Sequence, residues 1–302
     1  MACIDPAPTL PLDVEREIFE TLAFSSPQYI SKIMLVAQRV KTWTEPVLYR
    51  SLIISTVHMS AATHGTRTLS LEDFLELLDR KPATFFRDSV RFLALKLIPF
   101  NVAPRILNHC SRVTHLALFS MWTDPSWLSA IKKMPLLEIS AGIDGLLNRT
   151  GDLYGPGFQG LTHLNLHDPP SANGWVDGLC SLPLLTHLSF NDENPPRNTE
   201  CREILSKSKS LRVLVLLVIT DDQITTLVDG LGFECFADDV RSVITIDNND
   251  VLEDWRSGAI GGENYWVRSE RLVQKRRSGE VSGTFIYILW RSNMQDYDAC
   301  IL

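Results

Sequence analysis

A short phrase of alternating apolar residues recurs along this chain and constrains its fold more than any other feature. In each copy two variable residues separate the first apolar residue from the second, and one separates the second from the third, as in LTHLNL and LTHLSF. The seven copies, of which the last is degenerate, begin at Val90, Val113, Leu136, Leu161, Leu185, Leu211 and Val240, in steps of 23, 23, 25, 24, 26 and 29 residues. Such alternation predicts a strand with one buried face in each copy.

The segments between the phrases predict helices. DPSWLSAIKKM begins with Asp124 as a helix cap and Pro125 at the first helical position, and Trp127, Leu128 and Ile131 form its apolar stripe. TECREILSKSKS and DDQITTLVDGL follow the same pattern. Each repeat is therefore a strand and a helix. Since one such unit cannot bury its own apolar face, stacked neighbours must share one continuous core.

Residues 90–250 resemble the leucine-rich-repeat family, whose repeat length and strand phrase they share. The family usually continues its phrase to an Asn or Cys that holds the following turn, whereas this chain has Pro169 and Glu193 at the corresponding positions. The resemblance implies an α/β repeat fold, in which a short, irregular leucine-rich-repeat solenoid with parallel strands occupies residues 85–250. Without the buried amides, its curvature is expected to be irregular.

Residues 10–52 predict three short helices ahead of the repeats. The first helix carries an apolar stripe made of Val14, Ile18, Phe19, Leu22 and Ala23. The second is predicted to begin at Ser26-Pro27 and to carry Ile30, Ile33, Ala37 and Val40, and the third to begin at Thr44-Glu45-Pro46. Three helices of this length cannot enclose all of their apolar groups, so part of their surface must contact the repeats or another protein.

The same segment resembles an F-box. The matching positions are Leu10-Pro11 at the start, Ile18-Phe19 in the first helix, the phrase Val36-Ala37-Gln38-Arg39-Val40, and the close from Tyr49 to Leu52. Ala37, Gln38 and Val40 stand where the family usually has Cys, Lys and Trp. Followed by degenerate repeats, LVAQRVKTWTEPVLYRSL is similar to the F-box-like proteins expanded in mushroom-forming basidiomycete fungi. We therefore expect an F-box-like helical domain over residues 1–55.

The resemblance implies a substrate receptor of a Skp–cullin–F-box ubiquitin ligase that performs no chemistry itself. The helices would dock on the Skp adaptor, and through it on the cullin, while the repeats hold an unidentified target protein. By analogy the adaptor contacts are Leu10, Pro11, Ile18, Leu22, Ile33 and Val36. Two alternatives stay open: these residues only pack the helices onto the first repeats, or the chain is an interaction scaffold with a degenerate F-box. The scaffold alternative predicts that residues 10–52 leave no apolar surface exposed.

One variable position of the phrase holds a mixed set of side chains that the repeat geometry places on the concave face. We expect this set to bind the target; it consists of Phe92, His115, Glu138, His163, His187 and Val213. The same residues are equally compatible with packing beneath the C-terminal segment. The histidines favour either a metal-binding or pH-sensitive patch or solvated imidazoles in a common strand phrase. We assign no metal site and no cofactor.

Composition and the C-terminal segment narrow the remaining possibilities. A total of 29 Lys and Arg against 36 Asp and Glu gives a net charge of −7, which disfavours nucleic acid and anionic membranes as partners. Six scattered cysteines and an N-terminus without secretory features favour the cytoplasm or nucleus. An enzyme is least expected, because repeats offer a shallow face. Residues 251–302 predict helices at 251–256 and 263–277 and a strand at 284–290, which cap the last repeat.

Overall fold

Eleven strands form a single sheet in this computed structural model. The structure describes residues 10–57, 66–119, 123–142, 144, 153, 156–171, 173–191, 196–218, 239–247, 251–281, 286–290 and 298–301. The strands are β1 (Ser51–Ser55), β2 (Arg67–Ser70), β3 (Phe92–Lys96), β4 (His115–Phe119), β5 (Glu138–Ala141), β6 (His163–Leu166), β7 (His187–Asn191), β8 (Val213–Val218), β9 (Ser242–Asp247), β10 (Ile286–Trp290) and β11 (Asp298–Ile301). Their order across the sheet is β2-β1-β3 and then β4 to β11 in sequence, and every neighbouring pair is parallel except β10 with β11. The expected α/β class with parallel strands is therefore confirmed.

Eleven α-helices lie in the part of the chain that the structure describes. They are α1 (Leu12–Ser25), α2 (Ile30–Ile33), α3 (Gln38–Leu48), α4 (Leu71–Arg80), α5 (Phe85–Ser89), α6 (Ala103–His109), α7 (Pro125–Ile131), α8 (Trp175–Cys180), α9 (Asn198–Lys207), α10 (Val251–Ala259) and α11 (Tyr265–Ser278). Helix α7 begins as predicted, because Asp124 Oδ1 accepts a hydrogen bond of 2.8 Å from the backbone nitrogen of Ser126. The helix predicted at 221–231 and the turn position Glu193 lie outside the described residues.

The repeated phrase supplies strands β3 to β9. Its central apolar residues are direct neighbours across the sheet, in the order Leu93, Leu116, Ile139, Leu164, Leu188 and Leu214. All six are fully buried and belong, with side chains from α4 to α9, to one apolar cluster on the helix side of the sheet. Full burial of a leucine side chain contributes roughly 1.5–3 kcal/mol. Because a shift of one residue would move every such side chain to the other face, the repetition determines the register.

Strand β9 departs from the pattern of the other copies by one residue. If the degenerate phrase at Val240 aligned like the others, Val243 would lie beside Leu214, whereas the structure pairs Leu214 with Ser242. The shift places Ile244 in the helix-side cluster and Val243 in a second cluster on the opposite face. A one-residue shift exchanges the two faces of a strand, and here it gives the longer aliphatic side chain to the larger core.

The N-terminal helices form where predicted, but their boundaries differ. The expected second helix is divided into a 3₁₀ turn (Pro27–Tyr29) and α2, and α3 begins at Gln38 because Ala37 before it is extended, with φ −162° and ψ 156°. Pro46 lies inside α3, so the prediction that it begins a third helix is wrong. Proline has no backbone N–H, so α3 lacks the hydrogen bond that position 46 would otherwise donate within the helix.

Residues 51–89 add two strands and two helices that no repeated phrase marks. Strand β1 pairs with β3 on one side and with β2 on the other, so the sheet extends beyond the first phrase toward the N-terminal helices. Helix α4 follows β2 directly and is capped by the Ser70 hydroxyl, which accepts a hydrogen bond of 3.0 Å from the nitrogen of Asp73. The sheet therefore begins at Ser51, within the segment expected to be the F-box-like domain.

The C-terminal elements occupy two different places. Strand β10 pairs with β9 and β11 pairs with β10, so these strands extend the end of the sheet. Helices α10 and α11 instead lie on the face opposite α4 to α9, where they pack against the alternate residues of the strands. Among the described residues no helix is long and apolar enough to cross a membrane.

Candidate protein-docking surface

The N-terminal helices expose an apolar surface that no other part of the described chain covers. Four of the six predicted adaptor contacts have large exposed fractions: Leu10 58%, Ile18 49%, Leu22 40% and Val36 63%. Pro11 is also exposed. Ile33 differs, because it is only 6% exposed and packs inside the helical unit. Its expected adaptor contact is therefore corrected to a packing role.

The exposure follows from the way α1 is rotated. Its buried line passes through Ala23 and the half-buried Phe19, and the helix packs against α3 and α2, where Val40 and Ile30 are buried. Residues four apart lie on one face of a helix, so the stripe of Val14, Ile18 and Leu22 faces outward. A bidentate ion pair between Arg39 and Glu15, with N···O distances of 2.7 and 3.0 Å, holds α1 against α3 in this orientation.

The connection between α2 and α3 exposes further apolar side chains. Leu35 and Val36 are 84% and 63% exposed, and Leu12 at the start of α1 is 65% exposed. Several large apolar side chains exposed on one small helical unit mark an interaction site more often than singly scattered ones do. The scaffold alternative predicted that residues 10–52 would leave no apolar surface, and it disagrees with these exposures. We call the surface formed by Leu10, Leu12, Val14, Ile18, Leu22, Leu35 and Val36 the N-terminal docking surface.

The second candidate surface, the six predicted target-binding residues, is covered. Trp266 of α11 lies edge-on to the rings of His163 and His187, with centroids 5.3 and 5.7 Å away. Its Nε1 donates a hydrogen bond of 3.3 Å to Glu138 Oε1. Val213 is fully buried with Trp266 in one apolar cluster. The prediction of an open concave face is therefore wrong, and the alternative of packing beneath the C-terminal segment describes the structure.

The other end of this face is covered by α10. Leu252 and Trp255 form an apolar cluster with Ile53, Ala94 and Ala117, and Phe92 packs against its edge. Phe92 in turn stacks on His115, with ring centroids 4.3 Å apart. This face of the sheet is thus apolar at both ends and polar in the middle. Apolar side chains of α10 and α11 pack on the two ends, and Trp266 hydrogen-bonds to Glu138 in the middle.

A threonine holds each histidine of the repeated phrase. The hydroxyls of Thr162 and Thr186 lie 2.8 Å from Nδ1 of His163 and His187, and each also donates to a backbone carbonyl of the preceding strand. A hydroxyl has one proton. The imidazole tautomer therefore decides the roles: a hydroxyl that donates to the carbonyl accepts from Nδ1–H, and in either tautomer Nδ1 has the threonine hydroxyl as its partner. The step Thr-His therefore recurs because it satisfies a neutral imidazole beneath a helix.

The stacked pair of imidazoles is consistent with neutral rings. The centroids of His163 and His187 are 4.1 Å apart and the rings are nearly parallel, at 10°. Burial lowers the pKa of His163 to about 3, and the neighbouring imidazoles act in the same direction. In the part of the chain that the structure describes, no group of three or more His, Cys, Asp or Glu side chains could hold a metal ion. The metal interpretation of these histidines finds no support there.

We expect the free energy of unfolding to fall by about 3 kcal/mol between pH 7 and pH 5. Burial lowers the pKa of His115 and of His167 to about 4 and that of His163 to about 3, from the usual 6.5. The unfolded chain therefore takes up protons first as the pH falls below 6.5, which favours unfolding. Glu138 acts in the opposite direction, because burial raises its pKa to about 7 and its protonation removes a buried charge.

Urea unfolding at pH 7, 6 and 5 measures this dependence. The His163→Gln variant should lose less stability over that range, because it removes one group that the folded state keeps neutral. The Glu138→Gln variant should lose more, because it removes the opposing contribution. A free energy of unfolding that stays constant or rises toward pH 5 in the wild-type protein would contradict the assignment.

Comparison with known proteins gives no identification: no family model matches the chain, and no curated protein matches it significantly.

The target-binding set predicted from the sequence did not include the residues of α11 that lie on it, chiefly Tyr265, Trp266 and Glu270. Their signal in the sequence is the spacing of the buried residues Tyr265, Trp266, Ser269, Leu272 and Val273, which form one face of a helix. That spacing indicates a buried face but not the surface that buries it.

Proposed function

We propose that this chain is a substrate receptor of a Skp–cullin–F-box ubiquitin ligase, in which the N-terminal docking surface binds the Skp adaptor. The observation that carries the proposal is the exposure of Leu10, Pro11, Ile18, Leu22 and Val36 on helices whose sequence resembles an F-box. The receptor performs no chemistry: it connects the adaptor, and through it the cullin, to a target protein held by the rest of the chain.

The departures from the F-box pattern are compatible with this role. Val40, where the family usually has Trp, is fully buried between the helices, so this replacement changes packing inside the unit. Ala37, in place of Cys, is half-buried at the extended position before α3. The exposed positions of the pattern keep large apolar residues. This distribution favours a working docking surface over an interaction scaffold with a degenerate F-box.

The proposal places the target outside the covered face of the sheet. Phe92, His115, Glu138, His163, His187 and Val213 lie beneath or beside α10 and α11. His187 and Val213 are buried and the other four are half-buried, so these helices leave little of the set open to a partner. Exposed apolar side chains remain at the C-terminal ends of β1 and β3, where Val57, Leu97 and Phe100 are 43%, 42% and 68% exposed. Strand ends of a parallel sheet meet at one edge, so these side chains offer the target an alternative contact.

We expect Ile18→Asp and Val36→Asp each to weaken binding of the purified Skp adaptor at least about 10-fold. Each substitution removes an apolar contact and places an unpaired charge in the interface, which costs about 1.4 kcal/mol or more. Isothermal titration of the full chain with the adaptor measures the affinity. Both side chains are exposed in the free protein, so thermal unfolding of the variants should stay close to that of the wild type.

Val267→Asp is the matched control, because Val267 is 44% exposed on α11, away from the docking surface. It should leave the affinity unchanged. Two results would overturn the proposal: a folded wild-type chain that does not bind the adaptor, or equal affinity for the wild type and both docking variants.

A further inference from the structure

A second exposed apolar surface lies at the edge of the sheet where the parallel strands end. Val57 follows β1, and Leu97 and Phe100 follow β3; these side chains are 43%, 42% and 68% exposed. Because β1 and β3 are neighbours in the sheet, the residues that follow them emerge at adjacent places on one edge. We call the surface formed by Val57, Leu97 and Phe100 the strand-end surface.

The backbone that carries Leu97 and Phe100 is held by hydrogen bonds to neighbouring elements. The nitrogen of Leu97 donates a bond of 3.0 Å to the carbonyl of the last residue of β4, and its own carbonyl accepts one of 2.9 Å from the hydroxyl of Thr56. The carbonyl of Phe100 accepts a bond of 2.9 Å from Nε1 of the buried Trp127. Ile98, between the two exposed residues, is buried in the helix-side cluster. A fixed backbone therefore presents both side chains, which lowers the entropy lost when a partner binds.

Leu97 has a backbone conformation that is unfavourable for a leucine. Its φ is +54°, and no other residue except glycine has a positive φ among those that the structure describes. In this left-handed region Cβ comes too close to the following carbonyl oxygen, whereas glycine adopts the conformation freely. Burial does not compensate for this strain, because the side chain is exposed. Strained residues concentrate at binding sites, so the conformation of Leu97 favours a binding role for this edge.

Acidic side chains flank the strand-end surface on both sides. The strand order β2-β1-β3-β4 also orders the residues that follow these strands. Glu72 and Asp73, in the first turn of α4 directly after β2, are exposed on the side of Val57. Asp124, the cap of α7 after β4, lies on the side of Phe100. The edge thus reads acidic, apolar, apolar, acidic from β2 to β4.

Basic side chains at the same edge do not cancel these carboxylates. Arg105, in the first turn of α6, is paired with Asp79 at 2.6 Å, so its charge is already balanced. Lys96, the last residue of β3, points away from α4 to α9, because the preceding Leu95 enters the helix-side cluster. In the described loops and first helical turns that follow β1 to β4, three carboxylates therefore stand against no unpaired cation.

We propose that the strand-end surface binds an extended segment of the target protein in which two large apolar residues lie between basic residues. Neighbouring strands are about 4.8 Å apart, so the edge from β2 to β4 spans roughly 14 Å. An extended chain advances about 3.3 Å per residue, and about five residues therefore cover this distance. The apolar side chains of the segment contact Leu97 and Phe100, and its Lys or Arg residues face the carboxylates at both ends.

Target and adaptor would bind at opposite edges of the sheet. Helix α3 ends at Leu48 and β1 begins at Ser51, so the N-terminal helices adjoin the edge where the strands begin. The strand-end surface shares no residue with the N-terminal docking surface. The inference rests on the proposed function only in assigning the bound segment to a target. Binding of the segment is measurable on the chain without the adaptor, so failure here is distinguishable from failure of adaptor binding.

Selection of random twelve-residue peptides, displayed on phage, on the purified full chain tests the proposal. We expect the enriched peptides to share two large apolar residues with Lys or Arg on both sides. Fluorescence anisotropy then measures the affinity of the most enriched peptide, and Phe100→Asp should weaken it about 10-fold or more. Leu184→Asp is the matched control, because Leu184 is 53% exposed ahead of β7, at the opposite edge. It should leave the affinity unchanged.

Leu97→Gly separates binding from folding. Glycine adopts the positive φ without strain, so the midpoint of thermal unfolding should equal or exceed that of the wild type. The affinity for the peptide should nevertheless fall about 10-fold, because the apolar contact is lost. Glu72→Lys reverses one flanking charge and should weaken binding about 3-fold. Glu17→Lys makes the same charge change at an exposed position of α1 and should not weaken it.

Four results would overturn the proposal. No peptide is enriched on the folded wild type, or the enriched peptides lack the flanking basic residues. Phe100→Asp and Leu184→Asp weaken binding equally. Sedimentation shows a dimer for the wild type but not for Phe100→Asp, which would mean that a second copy of the chain occupies the surface.

Discussion

The Trp266→Ala variant is expected to unfold with a free energy about 3–5 kcal/mol lower than that of the wild type. Trp266 is 3% exposed, and its ring packs against Tyr265, with centroids 4.3 Å apart, and edge-on to His163 and His187. Truncation removes these contacts, leaves a cavity beneath α11, and deprives the buried Glu138 of its Nε1–H donor. Urea unfolding followed by circular dichroism measures the difference.

Two further variants separate the causes of this loss. Trp266→Phe keeps an aromatic ring but lacks the N–H donor, so we expect an intermediate loss of about 1–2 kcal/mol. Val267→Ala alters the adjacent, exposed position and should change the free energy of unfolding by less than about 0.5 kcal/mol. Hydrogen exchange should show the amides of α10 and α11 opening first in Trp266→Ala. Wild-type stability in that variant would mean that α11 does not pack on the sheet.

The strands of the repeated phrase could be predicted from the sequence because every copy shows the same alternation of buried apolar residues. The second apolar residue of each copy points to the helix side of the sheet. The aligned residues Leu116, Leu164 and Leu188 therefore all enter the same core. Repetition removes the ambiguity that a single short apolar run would leave. Where the copy is degenerate, at Val240, the pattern permits two registers. Packing then decides whether Val243 or Ile244 enters the helix-side core, and the spacing of apolar residues alone does not predict that choice.

The first strands of the sheet could not be predicted in the same way. Every residue of β1, from Ser51 to Ser55, is buried, so its sequence lacks the alternation of a strand with one exposed face. The F-box resemblance assigned its first residues to the helical segment. Only the pairing of β1 with β3 explains why SLIIS is a strand, and that contact joins residues about 40 positions apart, roughly a repeat and a half.

The covered face illustrates a different limit of sequence reasoning. A row of polar side chains such as His115, Glu138 and His163 is typical of a solvent-facing surface. It becomes compatible with burial only because a threonine satisfies each Nδ1 and Trp266 satisfies the carboxylate. The threonine contacts join neighbours in the sequence, whereas the bond from Trp266 crosses from α11 to the sheet. The pattern therefore predicts which residues share the face, and the structure is needed to identify what lies on it.

The Arg268→Met variant is expected to lose about 3–5 kcal/mol of unfolding free energy at pH 7. Arg268 and Asp254 form an ion pair of 2.6 Å between α11 and α10, and their side chains are 2% and 4% exposed. The second oxygen of Asp254 accepts a hydrogen bond of 3.0 Å from the nitrogen of Tyr265. Without the guanidinium, the carboxylate stays buried with its charge uncompensated, which costs more than the lost contact itself.

The pH dependence of this variant distinguishes a charge effect from a packing effect. Burial raises the pKa of Asp254, and the charge of Arg268 acts against that rise. The substitution should therefore raise the pKa further, so that the deficit is largest at neutral pH and shrinks as the pH falls and the carboxylate is protonated. The double variant Asp254→Leu with Arg268→Met removes both charges and should return to within about 1 kcal/mol of the wild type. If the deficit of Arg268→Met is instead independent of pH and persists in the double variant, the pair joins α10 to α11 by shape rather than by charge.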